Sequence, residues 1–261
     1  MIDLAELMSV ADAALDQVVP RLADPDMRSN ISVATKSSMT DMVTEMDTWS
    51  EATITDTIAA LRPADGFLGE EGSSRPSETG VVWVIDPIDG TTNFLYDIPG
   101  FSISIAARVD DLDLIGAVHD PIRDERFRAV QGGGATRNGF PIHVSTKADL
   151  GTALIATGFS YEAKRRRAQA QALTILLPEV RDIRRFGGAA LDLCSVACGR
   201  VDAYYERGLG AWDTAAGAVI AVEAGATVQN RQPQGGAFVA AAPGIATEFF
   251  ALVDDSGANT A

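Results

Sequence analysis

The residues able to do chemistry in this chain are its acids. The stretch WVIDPIDGTTNF, Trp83 to Phe94, places Asp86 and Asp89 three apart around Pro87, then turns at Gly90 into Thr91 and Thr92. Two carboxylates this close repel each other unless a cation sits between them. Three further places set acid in comparable positions: Glu70 and Glu71 after Gly69, Asp213 after Trp212, and the group Asp41, Glu45 and Asp47. Taken singly, each has a plain structural reading: Asp213 as a helix cap, Asp47 as a helix-surface acid, Glu71 as a solvent-facing side chain, Asp86 and Asp89 as an acidic surface turn. Taken together, they are a supply of oxygen ligands. The only histidines, His119 and His143, read as ordinary strand residues, and the two cysteines, Cys194 and Cys198, lie away from the acids. Zinc is therefore poorly served, whereas carboxylates with a backbone carbonyl suit Mg²⁺ or Mn²⁺. No EF-hand spacing is present.

These acids need elements to hold them. Val81 to Ile85 is an apolar run of β-branched and aromatic residues, read as a buried strand that stops at Asp86 because Pro87 cannot donate to a ladder. Thr91 or Thr92 then caps a short helix. Acids at the carboxyl end of a buried strand, facing a helix start, occupy the usual ligand position of an open α/β sheet. Upstream, residues 3–19 read as an amphipathic helix ended by Pro20, and a second helix runs from about 43 to 61 with Val43, Met46, Ile54 and Ile58 inward. A short strand, 66–69, delivers Glu70 and Glu71, and a solvated loop follows. Strands are expected at 101–109, 112–120 and near 126–130, with Asn138-Gly139 as a hairpin turn. The glycines at 132–134 lack the Lys-Ser/Thr of a phosphate loop and read as turn chemistry. From about 150 strands alternate with helices: strand 152–157, helix 161–177, strand 182–185, helix 188–199, strand 201–205, helix 212–224, strands 226–229 and 236–241, and helix 245–253. The arginines at 165–167 read as a solvated helix face, and the tail from Asp254 as frayed.

The change of rhythm near 140–150 divides the chain into an N-terminal α+β half, 1–142, and a C-terminal α/β half, 143–261. A chain of 261 residues with 46% hydrophobic content has ample length for a core, and no apolar run approaches a membrane span. The acidic N-terminus lacks the basic region of a signal peptide, and two cysteines four apart on one helix do not suit a staple, so a reduced, cytoplasmic protein is expected. A net charge of −15 excludes general nucleic-acid or anionic-membrane binding. An anionic substrate would need a local attractor, and a bound divalent metal supplies one.

The whole pattern resembles the inositol monophosphatase family of Mg²⁺-dependent, lithium-sensitive phosphatases. The resemblance rests on GEE (69–71), DPIDGTTNF (86–94) and WDTAAG (212–217), and extends to TKSSMTDMVTEMD (35–47), the Asn-Gly hairpin with PIHVS after it, and GGAALDLCSVACGRVDAYYE (187–206). It implies a layered α-β-α-β-α sandwich of the inositol monophosphatase and fructose-1,6-bisphosphatase type, in the α/β (α+β) class, and commonly a homodimer. It also implies roles. Glu70, Asp86 and the Ile88 carbonyl would hold a first Mg²⁺, and Asp86, Asp89 and Asp213 a second. A third, weaker site would use Glu70 with Asp47 nearby. Thr91 and Asp47 would orient the attacking water. Gly90 and Thr91 would offer backbone N–H groups to phosphate, while Gly187, Ala189 and Glu206 would contact the sugar. Lys36, Asp41 and Glu71 would stand behind the metal face. Gly188 departs from the family pattern, where Ser or Thr is frequent, which leaves a polar contact missing beside the sugar.

The reaction so implied is direct hydrolysis of myo-inositol monophosphate by metal-activated water. Histidinol-phosphate phosphatase, fructose-1,6-bisphosphatase and nucleotide 3′-phosphatase are the alternatives on the same scaffold. A regulatory interaction protein that keeps the fold, and a metal-buffering protein, are the alternatives of another class.

Overall fold

The computed structural model describes residues 2–28, 33–35 and 42–260. Helix α1, Leu4–Ala23, is capped by Asp3, whose carboxylate accepts the Ala5 and Glu6 N–H groups. It runs through Pro20, contrary to the sequence expectation: proline costs the last turn one donor, and Leu22 beyond it is fully buried. A turn of helix, α2 (Pro25–Arg28), and a small ribbon of β1 (Val33–Thr35) with β2 (Met42–Thr44) follow. Position 43 thus belongs to a strand, and α3 (Glu45–Leu61) begins two residues later, where Thr44 and Asp47 cap each other's backbone. Met46, Ile54 and Ile58 face the core as expected.

The next strands are β3 (Gly66–Gly69), β4 (Ser74–Arg75) and β5 (Val82–Asp89), with the short helix α4 at Thr91–Leu95. Then come β6 (Ser102–Val109), β7 (Leu112–Asp120), β8 (Glu125–Val130), β9 (Gly134–Arg137) and β10 (Phe140–Pro141). They form one eight-stranded sheet in the order β10-β9-β8-β7-β6-β5-β3-β4, with β3 and β5 its parallel pair. Asn138 and Gly139 both take positive φ, the mirror-image turn that a two-residue hairpin loop requires. The second sheet, β12-β11-β13-β15-β14, is built from β11 (Leu154–Thr157), β12 (Asp182–Arg184), β13 (Ala203–Arg207), β14 (Thr227–Asn230) and β15 (Ala237–Ala241). Helices α5 (Ala163–Leu176), α6 (Ala189–Ala197), α7 (Ala211–Glu223) and α8 (Ala246–Asp255) alternate with these strands.

Five layers result, with a core in each gap. Helices α1 and α3 cover one face of the eight-stranded sheet, burying Leu7, Leu15, Ile54 and Ile58 against Trp83, Ile85 and Ile103. Helices α6 and α7 cover the other face, where Ala190, Cys194, Ala216 and Ile220 meet Val84, Val118 and Phe127. The same helix layer meets the five-stranded sheet through Leu193 and Val196 against Tyr204 and Phe238. Helices α5 and α8 close the outer side with Leu176, Phe249 and Val253. This is the α-β-α-β-α sandwich expected. Small residues make the middle layer thin: a Cβ on Gly116 of β7 would run into the Ala216 carbonyl of α7. The C-terminal residues are packed rather than frayed: α8 reaches Asp255, Ala258 is buried, and Asn259 accepts the Ala237 N–H. Among the described residues no helix is long and apolar enough to cross a membrane.

Candidate metal centre and substrate cleft

The centre is built where β5 leaves its regular pairing. Asp86 pairs with Ser104 of β6 and Asp89 with Ser102, so the strand continues through Pro87 with a register shift instead of stopping at Asp86. Proline cannot donate to the ladder, and the bulge is what accommodates it. Ser50 of α3 donates to the Pro87 carbonyl at 3.2 Å. The bulge leaves the side chains of Asp86 and Asp89 buried at the same edge. Asp86 Oδ1 accepts the Ile88 N–H at 3.1 Å. Asp89 accepts the first two N–H groups of α6, from Ala189 at 3.1 Å and Ala190 at 2.8 Å, where a helix dipole also favours a negative charge. The chain turns at Gly90, φ 92°, and Gly90 rather than a threonine occupies the cap position of α4. A Cβ there would lie 3.0 Å from the Gly100 carbonyl.

Asp213 arrives from the far half of the chain, in the first turn of α7, and accepts the Gly210 N–H. It is thus both a helix-start acid and a member of the cluster. Carboxylate oxygens of Asp86, Asp89 and Asp213 lie within 4.8 Å of one another. Glu70 stands at the end of β3, tied by its N–H to the Ile85 carbonyl, and lines the same cleft. Burial, and then the charges of Glu70, Asp89 and Asp213, push the Asp86 carboxyl well up. Burial, and then Asp89 and Glu70, push Asp213 up as well. Asp89 rises to about 7, burial outweighing the two α6 N–H groups. Acids crowded in this way want a cation, and oxygen is the only donor type they present. The donor set fits Mg²⁺ or Mn²⁺.

Thr91 Oγ1 lies 3.1 Å from the Ile88 carbonyl and 3.2 Å from Asp47 Oδ1. Asp47 is fully buried, not a surface acid, and it touches Thr91 without lining the cleft. The cleft, about 440 Å³, continues from Ile88, Gly90 and Thr91 to Gly187, Ala189 and Glu206. Glu206 accepts the Tyr204 hydroxyl at 2.8 Å; burial raises its carboxyl, while that hydroxyl and the Arg185 charge act the other way. Gly188, where the sequence departs from the family pattern, backs the metal centre: a Cβ there would lie 2.9 Å from Asp89 Oδ2. Glu71 does not line the cleft, and Lys36 and Asp41 lie outside the described residues.

Four supports are not legible in the sequence. Glu51 of α3, 3% exposed, accepts the N–H groups of Glu71 and Ser73, each at 2.8 Å, and so pins the turn that carries Glu70. Asn93 donates to the Gly100 and Phe186 carbonyls at 2.8 and 2.6 Å, clamping the two loops beside Gly90. Gly158 lies against the Glu206 carboxylate, and a Cβ there would collide with Oε2. Arg165, the first of the three arginines read as a solvated face, is exposed but lines the cleft. Glu51, Asn93 and Gly158 act on residues 20 to 93 positions away, and Arg165 enters the cleft only through the fold, so no spacing rule reveals them.

The inositol monophosphatase family model matches residues 3–255. An inositol-1-monophosphatase of Mycobacterium leprae is 48% identical over 237 residues, 85% of this chain and 81% of that protein. A Nus factor SuhB of Haemophilus influenzae is 43% identical over 197 residues, 75% of this chain and 74% of that protein. The solved structure of Mycobacterium tuberculosis SuhB superposes with a TM-score of 0.85 at 39% identity, covering 100% of both chains. The chain belongs to the inositol monophosphatase family.

Proposed function

We propose that this protein is a Mg²⁺-dependent hydrolase of polyol phosphate monoesters, with myo-inositol monophosphate as the substrate to which its family points. The observation that carries this reading is the meeting of Asp86, Asp89 and Asp213, from distant parts of the chain, beside a cleft that ends at Glu206. Glu70, Asp86, the Ile88 carbonyl, Asp89 and Asp213 would hold two or three ions. When bound, Mg²⁺ supplies Lewis acidity for a water nucleophile and for the departing sugar oxygen.

The chain's own groups do the positioning. Asp47 holds the Thr91 hydroxyl, which orients the water in line with phosphorus. Gly90 and Thr91 offer backbone N–H groups to the phosphate oxygens. Glu206, with Gly187 and Ala189, receives the hydroxyls of the polyol. The water oxygen bonds to phosphorus, the ester P–O bond breaks with its electron pair going to the sugar oxygen, and that oxygen takes a proton. Inositol and inorganic phosphate leave.

Phosphate release from inositol 1-phosphate, histidinol phosphate and fructose 1,6-bisphosphate, titrated with Mg²⁺, tests this and ranks the alternatives. Release that requires Mg²⁺ and stops with a chelator is expected. Release independent of divalent metal would contradict it. Inhibition by millimolar lithium belongs to the same reading.

A regulatory role beside catalysis is favoured by the relatives named Nus factor SuhB. A macromolecular partner retained by an Asp86→Asn variant that releases no phosphate would separate the two roles.

A further inference from the structure

Glu206, half-buried at one end of the cleft, is held by a tyrosine that the cleft does not reach. Tyr204 and Glu206 stand two apart on β13, so their side chains share the face of the five-stranded sheet that meets α6. Tyr204 is fully buried there, packed with Leu193, Val196 and Phe238, and its hydroxyl donates to Glu206 Oε2 at 2.8 Å. Burial first, and then the Glu206 charge, hold that hydroxyl well above its usual range, so it keeps its proton and remains a donor.

Backbone closes the other side of the carboxylate. Thr157 of β11 pairs with Tyr205 of β13, and its hydroxyl donates to the Tyr205 carbonyl at 2.9 Å. This register brings Gly158 beside Glu206, where a Cβ would collide with both carboxylate oxygens. The carboxylate thus lies between a bare glycine and a phenolic donor. Glutamate is rich in rotamers, and a carboxylate already fixed loses less freedom when a ligand binds it. The phenol takes Oε2, and among the described residues nothing hydrogen-bonds to Oε1. An ionised carboxylate only accepts, so Oε1 is left for the O–H donors of a bound alcohol.

We propose that Tyr204 is a positioning residue that sets substrate preference. Its hydroxyl fixes the Glu206 carboxylate in the pose that accepts polyol hydroxyls, and so favours polyol phosphates over esters with no hydroxyl to offer there. This rests on the phosphatase reading above, with Glu206 as a polyol contact, and deepens it.

Tyr204→Phe keeps the buried ring and removes only the oxygen. The test compares wild type, Tyr204→Phe, Glu206→Ala and the double variant on myo-inositol 1-phosphate and on para-nitrophenyl phosphate, with Mg²⁺. Tyr204→Phe is expected to raise KM for the inositol ester about tenfold more than for the aryl ester, with a smaller effect on kcat. In the Glu206→Ala background the same substitution should add nothing, because the hydroxyl acts through the carboxylate. Equal effects on both esters, or a double variant whose loss is the product of the two single losses, would overturn the role and leave Tyr204 as core packing. If Glu206→Ala itself does not distinguish the esters, the polyol reading of Glu206 fails, and the role of Tyr204 falls with it. If Glu206→Ala distinguishes them and Tyr204→Phe does not, only the role of Tyr204 falls. If wild type releases phosphate from neither ester, the phosphatase reading fails, and calorimetric titration of the four proteins with inositol 1-phosphate and Mg²⁺ decides. Binding about tenfold weaker in Tyr204→Phe, but not weakened further in the Glu206→Ala background, then supports the role, and unchanged binding overturns it.

Discussion

A carboxylate as buried as that of Asp86, with Glu70, Asp89 and Asp213 around it, is a burden on the metal-free fold, and a bound cation turns that burden into affinity. Asp86→Asn removes one crowded charge and, on the proposed reading, one ligand that two ions would share. We expect phosphate release to fall by at least about a hundredfold and the Mg²⁺-induced rise in Tm to shrink, while the metal-free variant melts no lower than wild type. A full Mg²⁺-induced rise in the variant would remove Asp86 from the site. Glu51 acts one step further out, through its two bonds to the turn carrying Glu70. Glu51→Gln gives up the charge but keeps the shape, and should weaken Mg²⁺ affinity by about ten- to a hundredfold. Mg²⁺ titration of Tm and of rate checks it, and an unchanged affinity would make Glu51 a purely structural acid. If the end of the cleft at Glu206 takes the sugar, as proposed, Glu206→Gln should raise KM for inositol phosphate more than for a small aryl phosphate; equal effects would remove Glu206 from that role.

Elements place these residues by breaking their own regularity. Strand β5 is apolar enough to be recognised from Val81 to Ile85, but its passage through Pro87 depends on the bulge against Ser102 and Ser104, which only the partner strand defines. Likewise α1 passes Pro20 because a core waits for Leu22. Local signals therefore locate the acids and most helices and strands to within a few residues, and misjudge the places where tertiary packing overrides a local rule. The pairing of β7 with β8 carries a different buried group. His119, 3% exposed, accepts a hydrogen bond from Arg126 Nε at 3.2 Å; burial first, and then the Arg126 charge, lower its pKa to about 4 from 6.5, against Asp124, Asp120 and Asp16. A group with a depressed folded pKa takes its proton more readily in the unfolded chain. Its stabilising contribution is complete above 6.5 and declines as pH falls toward about 4. His119→Gln should accordingly lose about 2 kcal/mol less stability than wild type between about pH 7 and pH 5. Urea denaturation at the two pH values measures the difference, and an identical loss in both proteins would contradict the shift.

At the scale of the whole molecule, the five layers bring Asp213 from the start of α7 to the end of β5, because α6 and α7 are the helix layer shared by both sheets. That convergence was legible in the sequence only through family resemblance, since no spacing rule links position 89 to position 213. Gly158 and Arg165 were illegible for the same reason: each matters for a neighbour the fold supplies. Asp86 and Asp89 of β5 meet Asp213 of α7 only in the folded chain, so an ion held among them would couple its binding to folding, and Mg²⁺ at about a hundred times its Kd should stabilise the protein by about 2.7 kcal/mol, read as a rise in Tm that a chelator reverses. No rise would mean that the acids meet without holding an ion. The most direct measurement is a crystal structure with Mn²⁺, whose anomalous scattering reports the ion itself. Mn²⁺ bound to oxygens of Asp86, Asp89 and Asp213 together is the expected result. A protein that releases phosphate in that medium with no ion among those three side chains would contradict it.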